Sequence, residues 1–243
     1  MSKQIPDRRA KPKLRLALFG MPLLAATAIG APTIASASTG SSGSAAQLFQ
    51  TALKSSAAAS SFSVKGSINQ PKQDISLNLT VGASGKSEGS ITINGGSVKI
   101  IEIGNTAYFN GDTKFWNQNG GGSATHMLAG RWVYGPTTTS PFSSFKSFLS
   151  PHEFIEVFLG GDTGPFKKGR TTTFDSVQSV PITASGPGTL YVAAAGGHLV
   201  VGAKGSKGGV SAALAFTKYN QPFHASKPSG GISLQGLEKS GGS

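Results

Sequence analysis

The stretch Ile75-Ser76-Leu77-Asn78-Leu79-Thr80-Val81 decides the fold of this chain. Aliphatic and polar residues alternate along it, which is the period of a β-strand that buries one face and exposes the other. Further along, Asn94-Gly95 is a strong signal for a two-residue hairpin turn. Short alternating strands joined by tight turns predict an antiparallel sheet with one covered face.

The same alternation continues on both sides of this stretch and resumes at about Arg170 after an interruption. The predicted strands are centred on Phe62–Ile68, Ile75–Val81, Ile91–Ile93, Val98–Ile103, Val180–Ile182, Leu190–Val192, Leu199–Val201 and Val210–Phe216. Their number and order predict an α+β domain whose main element is this sheet.

Two segments have helical rather than strand periodicity. Residues 45–59 place Leu48, Phe49, Ala52 and Leu53 on one face, which predicts an amphipathic helix. Residues 142–160 predict a helical insertion, because Ser150-Pro151-His152-Glu153 combines an N-cap serine, a first-turn proline and a capping-box glutamate. The Gly-rich residues 117–123 and the residues 136–141 are predicted loops.

The beginning of the chain has the parts of an export signal. Basic residues precede an apolar run from Leu16 to Ala31, and Ala35-Ser36-Ala37 is a small-x-small cleavage site. We therefore expect cleavage after Ala37 and a protein that is secreted or associated with the cell envelope. An uncleaved anchor is the less favoured alternative, because a spanning helix needs about 20 apolar residues. The predicted organisation is a signal peptide at 1–37, a flexible leader at 38–44, one folded domain at 45–227 and a flexible tail at 228–243.

Charge and cysteine content exclude several classes of function. The chain has 22 Lys and Arg against 10 Asp and Glu, a net charge of +12, and no cysteine. Residues 1–37 hold six of the basic and one of the acidic residues, so cleavage leaves a net charge of +7. Because no three basic residues are consecutive, nucleic acid is not an expected partner, whereas loose contact with an anionic membrane or wall surface is. We expect a monomer without disulfides or a cysteine-linked lipid anchor.

Catalytic motifs are weak in this sequence. Gly85-Lys86-Ser87-Glu88-Gly89 matches a nucleophile-elbow pattern, but a strand follows it where the elbow needs a helix. The four histidines have no metal-ligand spacing, and Glu153 is explained as a cap. We therefore predict no enzyme and no cofactor or metal. An exported wall hydrolase with spatially assembled carboxylates is the enzymatic alternative.

The most informative feature is a cluster of five phenylalanines between residues 142 and 158. These rings either fill a core between a helical flap and the sheet, or they line a cavity between the two, which would suit an acyl chain. The residues predicted to line such a cavity are Phe49, Leu77, Leu79, Phe142, Phe145, Phe148, Phe154 and Phe158. Arg131 and Lys146 are the predicted contacts of a polar head group.

Several segments, taken in order, resemble one known family. They are the opening Ala/Leu helix and Ser61–Gly66, Ile103–Phe109 followed by Phe115-Trp116, Ala129–Val133, Gly188–Val192 and Phe216–Phe223. Together they resemble the LolA-like superfamily, in particular the exported actinobacterial lipoproteins of the LppX/LprG type. The chain lacks the lipobox cysteine that follows the signal in those lipoproteins.

The resemblance implies a strongly curved antiparallel half-barrel with helices covering its concave face. It also implies a protein that binds or ferries lipids or lipoglycans between membrane layers. We therefore expect a non-enzymatic carrier of a lipid or acylated glycan. A structural or adhesive cell-surface protein with a filled core and no small ligand is the alternative.

Overall fold

The structure, a computed structural model, describes residues 42–236 apart from residues 163, 185–187 and 208. The predicted signal peptide, its cleavage site and residues 237–243 of the predicted tail lie outside the described residues. The helices are α1 (Ser42–Ala57), α2 (Thr113–Leu128) and α3 (Pro151–Leu159), and a 3-10 helix spans Phe142–Phe148. The strands are β1 (Ser61–Gln70), β2 (Gln73–Gly82), β3 (Lys86–Ile93), β4 (Gly96–Ile103), β5 (Thr106–Gly111), β6 (Val133–Pro136), β7 (Lys167–Lys168), β8 (Thr172–Phe174), β9 (Val177–Thr183), β10 (Thr189–Ala193), β11 (Val200–Lys207), β12 (Val210–Thr217) and β13 (Ile232–Ser233).

A single sheet contains these 13 strands. Its order is β13-β6-β5-β4-β3-β2-β1-β12-β11-β10-β9-β7, with β8 paired to β9. The pairings along the sheet are antiparallel, apart from the parallel pairing of β13 with β6. The two ends of the order do not pair with each other, so the sheet is curved but not closed. This confirms the predicted α+β fold with a curved antiparallel half-barrel.

The concave face of the sheet holds the aliphatic positions of the alternating strands. In β2, Ile75, Leu77 and Leu79 are buried, whereas the polar residues between them lie on the other face. Phe49 of α1 and Phe154 of α3 belong to the same apolar core as these residues. The helices therefore cover the concave face, as the alternation and the resemblance predicted.

The predicted helix cap at Ser150 and the predicted hairpin turn at Asn94-Gly95 are both present in the structure. The Ser150 side chain accepts a hydrogen bond from the Glu153 backbone N–H at 3.4 Å, so α3 begins with a side-chain cap. Asn94 and Gly95, with φ of 49° and 77°, form the left-handed turn between β3 and β4.

The predicted loop at residues 117–123 is wrong, because helix α2 runs through it. The Asp112 side chain accepts a hydrogen bond from the Phe115 N–H at 2.7 Å and caps the helix start. Phe115 and Trp116 are buried and hold the first turn against the sheet. Gly121 has a φ of 70°, so the glycine run produces a kink between two helical pieces rather than a loop.

Five strands were not predicted from the sequence: β5, β6, β7, β8 and β13. Strands of two to four residues carry almost no alternation, and β5 buries three consecutive residues instead of alternating. β13 lies within the predicted tail, and Leu234 just after it is only 5% exposed. The predicted domain limits stay predictions. Among the residues that the structure describes, no helix combines the length and the apolar character needed to cross a membrane.

Candidate binding cavity

A cavity of about 470 Å³ lies between one half of the concave face and the helices α1 and α3. Its sheet wall comes from the adjoining ends of β1 and β2 and from β9 to β12. Its helical wall contains Phe49 of α1, Phe148 of the 3-10 helix, and Val157, Phe158 and Leu159 of α3. The lining also includes Ile68, Ile75, Ile182, Leu190 and Leu214, so the interior surface is mainly apolar.

Small residues on the strands make room for this cavity. Ala212 of β12 lines it and is paired with Gly205 of β11, and Ala203, two residues before Gly205 on the same face, lines it as well. Gly188 before β10 and Gly205 of β11 line it as well. Because these positions carry little or no side chain, the helices above them leave unfilled space.

Aromatic contacts fix the helical wall. The Phe49 ring stacks on the Phe166 ring with 4.4 Å between centroids. The Phe158 ring lies 5.0 Å from that of Phe148 and 4.6 Å from that of Phe154. These contacts hold the wall residues in place, so the cavity is a preformed feature of the packing.

Of the residues predicted to line the cavity, Phe49, Phe148 and Phe158 do so in the structure. The other five are part of the filled core and do not border the cavity: Leu77, Leu79, Phe142, Phe145 and Phe154. Phe142 and Phe145 each pack edge-on against Phe109 of β5, with 4.8 Å between ring centroids. Their part in ligand binding stays a prediction.

The predicted head-group contacts lie elsewhere on the surface. Lys146 forms an ion pair with Glu153 at 3.0 Å, and its side chain is 69% exposed. Arg131 is exposed, and its Nη1 donates to the Met127 carbonyl at 3.3 Å. Neither residue lines the cavity. Their role toward a head group stays a prediction.

The cavity opens at one end of the half-barrel. Its lining includes the polar residues Gln70 and Gln73 at the β1–β2 turn, Thr189, Ser206 and Asp162. The Gln70 side chain donates to that of Gln73 at 3.1 Å. The mouth is therefore polar, whereas the interior is apolar, which is the distribution that an amphiphile needs. This polar end was not predicted, because its residues are far apart in the chain.

The opposite end of the same half is closed by buried hydrogen bonds. The Val200 N–H donates to the Ser56 hydroxyl at 2.9 Å, and the Tyr219 hydroxyl donates to the Val200 carbonyl at 2.7 Å. Burial raises the pKa of the Tyr219 hydroxyl, so this group stays protonated as a donor. The C-terminal end of α1 is thus fastened to the start of β11.

A buried serine and a buried glutamate lie side by side on the concave face, away from the cavity. Ser87 of β3 and Glu102 of β4 are paired across the strands. The Ser87 hydroxyl donates to the Leu149 carbonyl at 2.9 Å, which ties the end of the 3-10 helix to the sheet. Burial raises the pKa of the Glu102 carboxyl from 4.5 to about 7, and the neighbouring Ser87 hydroxyl opposes that shift.

This pair does not resemble a nucleophile with its base. Ser87 is 1% exposed and begins a strand, so it lacks both the access and the strand-to-helix turn of a nucleophile elbow. Among the described residues, no group of three or more His, Asp or Glu side chains has the arrangement of a metal site.

A second depression lies on the convex face, beside the pair Phe174 and Tyr191. It is lined mostly by exposed residues, among them Lys65, Asp175 and Thr217. The Lys204 ammonium lies 5.0 Å from the centre of the Phe174 ring. Because its walls are solvated, this depression is a surface groove rather than an enclosed site.

Two solved structures have a similar fold. LprF from Mycobacterium bovis matches with a TM-score of 0.54 and 15% identity, over 79% of this chain and 100% of the LprF chain. The lipoprotein LppX from Mycobacterium tuberculosis matches with a TM-score of 0.50 and 16% identity, over 76% of this chain and 99% of LppX. No protein-family model and no curated protein matches the chain.

At such low identity, the likeness concerns the backbone and not the ligand. The match covers 100% of the LprF chain and 99% of the LppX chain, so it concerns the whole fold of both proteins. The chain therefore has the fold of LprF and LppX, which agrees with the fold that the resemblance of its sequence implied.

Proposed function

We propose that this protein is a non-enzymatic binding protein that carries a lipid or an acylated glycan in the cavity under α1 and α3. The observation that carries the proposal is the apolar cavity of about 470 Å³ with a polar mouth. Sites for small molecules usually have volumes of about 300–1,000 Å³ and mainly apolar walls. The resemblance of the sequence to lipid-binding LolA-like proteins supports the same class of function, and the fold shared with LprF and LppX is compatible with it.

The proposed location is outside the cytoplasm, after cleavage of the signal at Ala37. In the absence of a lipobox cysteine, the positive net charge would hold the protein loosely to an anionic membrane or wall surface. A salt wash of the membrane and wall fractions tests this proposal. Recovery of the uncleaved chain in the washed membrane fraction would contradict it.

Native mass spectrometry of the protein purified from its own host tests the binding function. We expect a bound amphiphile that organic extraction releases and identifies. Phe158→Asp places a charge in the cavity wall and should abolish the bound mass while circular dichroism stays β-rich. Phe154 is unsuitable for this test, because it is fully buried in the core and its replacement by a charged residue would unfold the protein.

His152→Asp is the matched control for Phe158→Asp. His152 is exposed in the first turn of the same helix and does not line the cavity, so the variant should keep the ligand. If the protein is reproducibly empty and Phe158→Asp changes nothing but stability, the structural or adhesive alternative is favoured instead.

The hydrolase alternative predicts a different outcome. Ser87→Ala or Glu156→Gln would then abolish an esterase or glycosidase activity of the purified protein. We expect neither substitution to change any hydrolysis rate above the buffer background, because Ser87 is buried and Glu156 lies exposed on α3 outside the cavity lining.

A further inference from the structure

The size of the cavity limits what it can hold, provided that it is a lipid site as proposed above. A methylene group occupies about the volume of a water molecule in the liquid, roughly 30 Å³. The volume of about 470 Å³ is therefore filled by roughly 15 methylene groups. That is about the length of one ordinary acyl chain, and a second chain of the same length would need about twice this volume.

The surrounding core prevents the cavity from extending further along the concave face. Phe148, which is 2% exposed, forms the wall toward the 3-10 helix, and Phe154 packs behind it at 6.3 Å between ring centroids. Phe154 in turn contacts Phe62 and Phe216 of the sheet. A second chain would have to displace this set of interlocked rings.

The mouth of the cavity indicates the chemistry of the head group. The polar residues that line the cavity among the described ones are Gln70, Gln73, Asp162, Thr189, Lys204 and Ser206. By the alternation of β10 and β11, Thr189 and Ser206 lie on the same convex face as Lys204, which leaves the two amides and the Asp162 carboxylate at the mouth. The Lys204 ammonium is directed to the Phe174 ring, which is part of a separate apolar cluster. The Gln70 and Gln73 amides suit hydrogen bonds to a polyol, whereas the Asp162 carboxylate repels a phosphate or a carboxylate.

We infer that the cavity binds a single linear acyl chain of roughly 15 carbons whose head group is an uncharged polyol, as in a monoacylglycerol or a monoacylated sugar. The apolar interior holds the chain, and the residues around Gln70 and Gln73 hold the hydroxyl groups. Lipids with two chains, and single-chain lipids with an anionic head, bind more weakly.

A series of monoacylglycerols tests the chain length. Delipidated protein is titrated with the decanoyl, dodecanoyl, tetradecanoyl, hexadecanoyl, octadecanoyl and eicosanoyl compounds by isothermal calorimetry. We expect the affinity to increase up to about fourfold per added methylene and to stop increasing near the hexadecanoyl compound. An affinity that still increases at the eicosanoyl compound would contradict the inferred length.

Two further ligands test the number of chains and the head group. Dipalmitoylglycerol should bind at least tenfold more weakly than monopalmitoylglycerol, and equal affinity would overturn the single-chain inference. Lysophosphatidic acid with the same chain should also bind more weakly. Asp162→Asn should recover up to about fivefold of that difference, because an exposed like charge costs at most about 1 kcal/mol. Equal binding of the anionic and neutral lipids by the unchanged protein would overturn the head-group inference.

A matched pair of substitutions locates the binding. Ala212→Phe fills part of the cavity. The affinity should therefore stop increasing at a shorter monoacylglycerol than it does for the unchanged protein. Ala213→Phe adds the same ring at the next position of β12, which lies on the opposite face of the sheet, and should change nothing. Identical effects of the two substitutions would place the lipid elsewhere. If no lipid of any class binds, the proposed function fails, and not merely the inference about its ligand.

Discussion

The two halves of the concave face are packed differently, although the same sheet forms both. Under the 3-10 helix and α2, strands β4 and β5 present large residues such as Ile100 and Phe109, and rings fill the space above them. Under α1 and α3, strands β11 and β12 present Ala203 and Ala212, and a cavity remains. The comparison shows that strand residue size, and not the number of phenylalanines above the sheet, decides where unfilled space remains.

Phe145→Ala should cause the largest loss of stability, because it removes a ring from the filled half. Phe145 is 1% exposed and contacts Phe109, so the deletion leaves a cavity in a tightly packed region. We expect the free energy of unfolding to decrease by about 3–5 kcal/mol in urea denaturation. A decrease below about 1 kcal/mol would mean that this half is also loosely packed.

The filled half should also become less stable as the pH increases, because it contains the Glu102 carboxyl. The carboxyl titrates near 4.5 when unfolded and near 7 when folded. Between these pH values the folded protein holds a proton that the unfolded chain does not, so rising pH favours unfolding. Relative to its value below pH 4.5, stability should decrease as the pH passes 7 by clearly less than the roughly 3 kcal/mol that the full pKa shift represents, because water partly screens the carboxylate.

Glu102→Gln is the substitution that tests the origin of this pH dependence. The amide has the same shape but does not ionise, so urea midpoints measured across the acidic and neutral range should lose most of their slope. The variant should be more stable than the unchanged protein at mildly alkaline pH. A slope that survives the substitution would assign the pH dependence to another group.

Replacing an alanine by leucine should lower the stability of the protein in the filled half and raise it in the half with the cavity. Ala107→Leu in β5 inserts methyl groups into a fully buried site and should destabilise the protein by about 1–3 kcal/mol. Ala212→Leu in β12 fills empty space and should stabilise the ligand-free protein by up to about 1 kcal/mol. Thermal unfolding of delipidated samples measures both. Two decreases of equal size would mean that no cavity exists at Ala212.

The smallest effect should come from the surface pair that joins the two helical segments of the flap. Lys146 of the 3-10 helix and Glu153 of α3 are 69% and 37% exposed, so water and salt screen their attraction. Lys146→Ala should change the free energy of unfolding by less than about 0.5 kcal/mol, and lipid binding should not change. A clear loss of binding would restore Lys146 as a head-group contact.

The fold was predictable because its strands and turns follow from local sequence patterns that recur along the chain. The alternation around Leu77 and the turn at Asn94-Gly95 each report on neighbours in the chain, and the structure has them as strands and a turn. Helix α2 was not predictable in the same way. Its glycine run has a low helix propensity and therefore indicates a loop. The helix forms because Phe115 and Trp116 pack into the core, and that packing is not visible in the sequence.

The cavity could not be predicted because it depends on distances between elements remote in sequence. The Phe-rich segment 142–158 indicated an apolar flap, yet it does not distinguish Phe145, which fills the core, from Phe158, which lines the cavity. The informative positions are small residues such as Ala203 and Ala212, and an alanine within an alternating strand has no distinctive signal. Gln70 and Gln73 at the mouth could not be predicted either, because nothing in the local sequence distinguishes them from other polar residues in a turn.

The edges of the half-barrel have a consequence for how the protein behaves at high concentration. An unclosed sheet has two edge strands, whose free N–H and C=O groups can pair with a sheet of another molecule. Here one edge is β13, which is two residues long, and the other is formed by β7 and β8, which pair with different parts of β9 and have two and three residues. β7 consists of Lys167 and Lys168. Such short edges, one of them positively charged, offer almost no template for strand addition. We therefore expect the open, curved sheet not to polymerise through its edges.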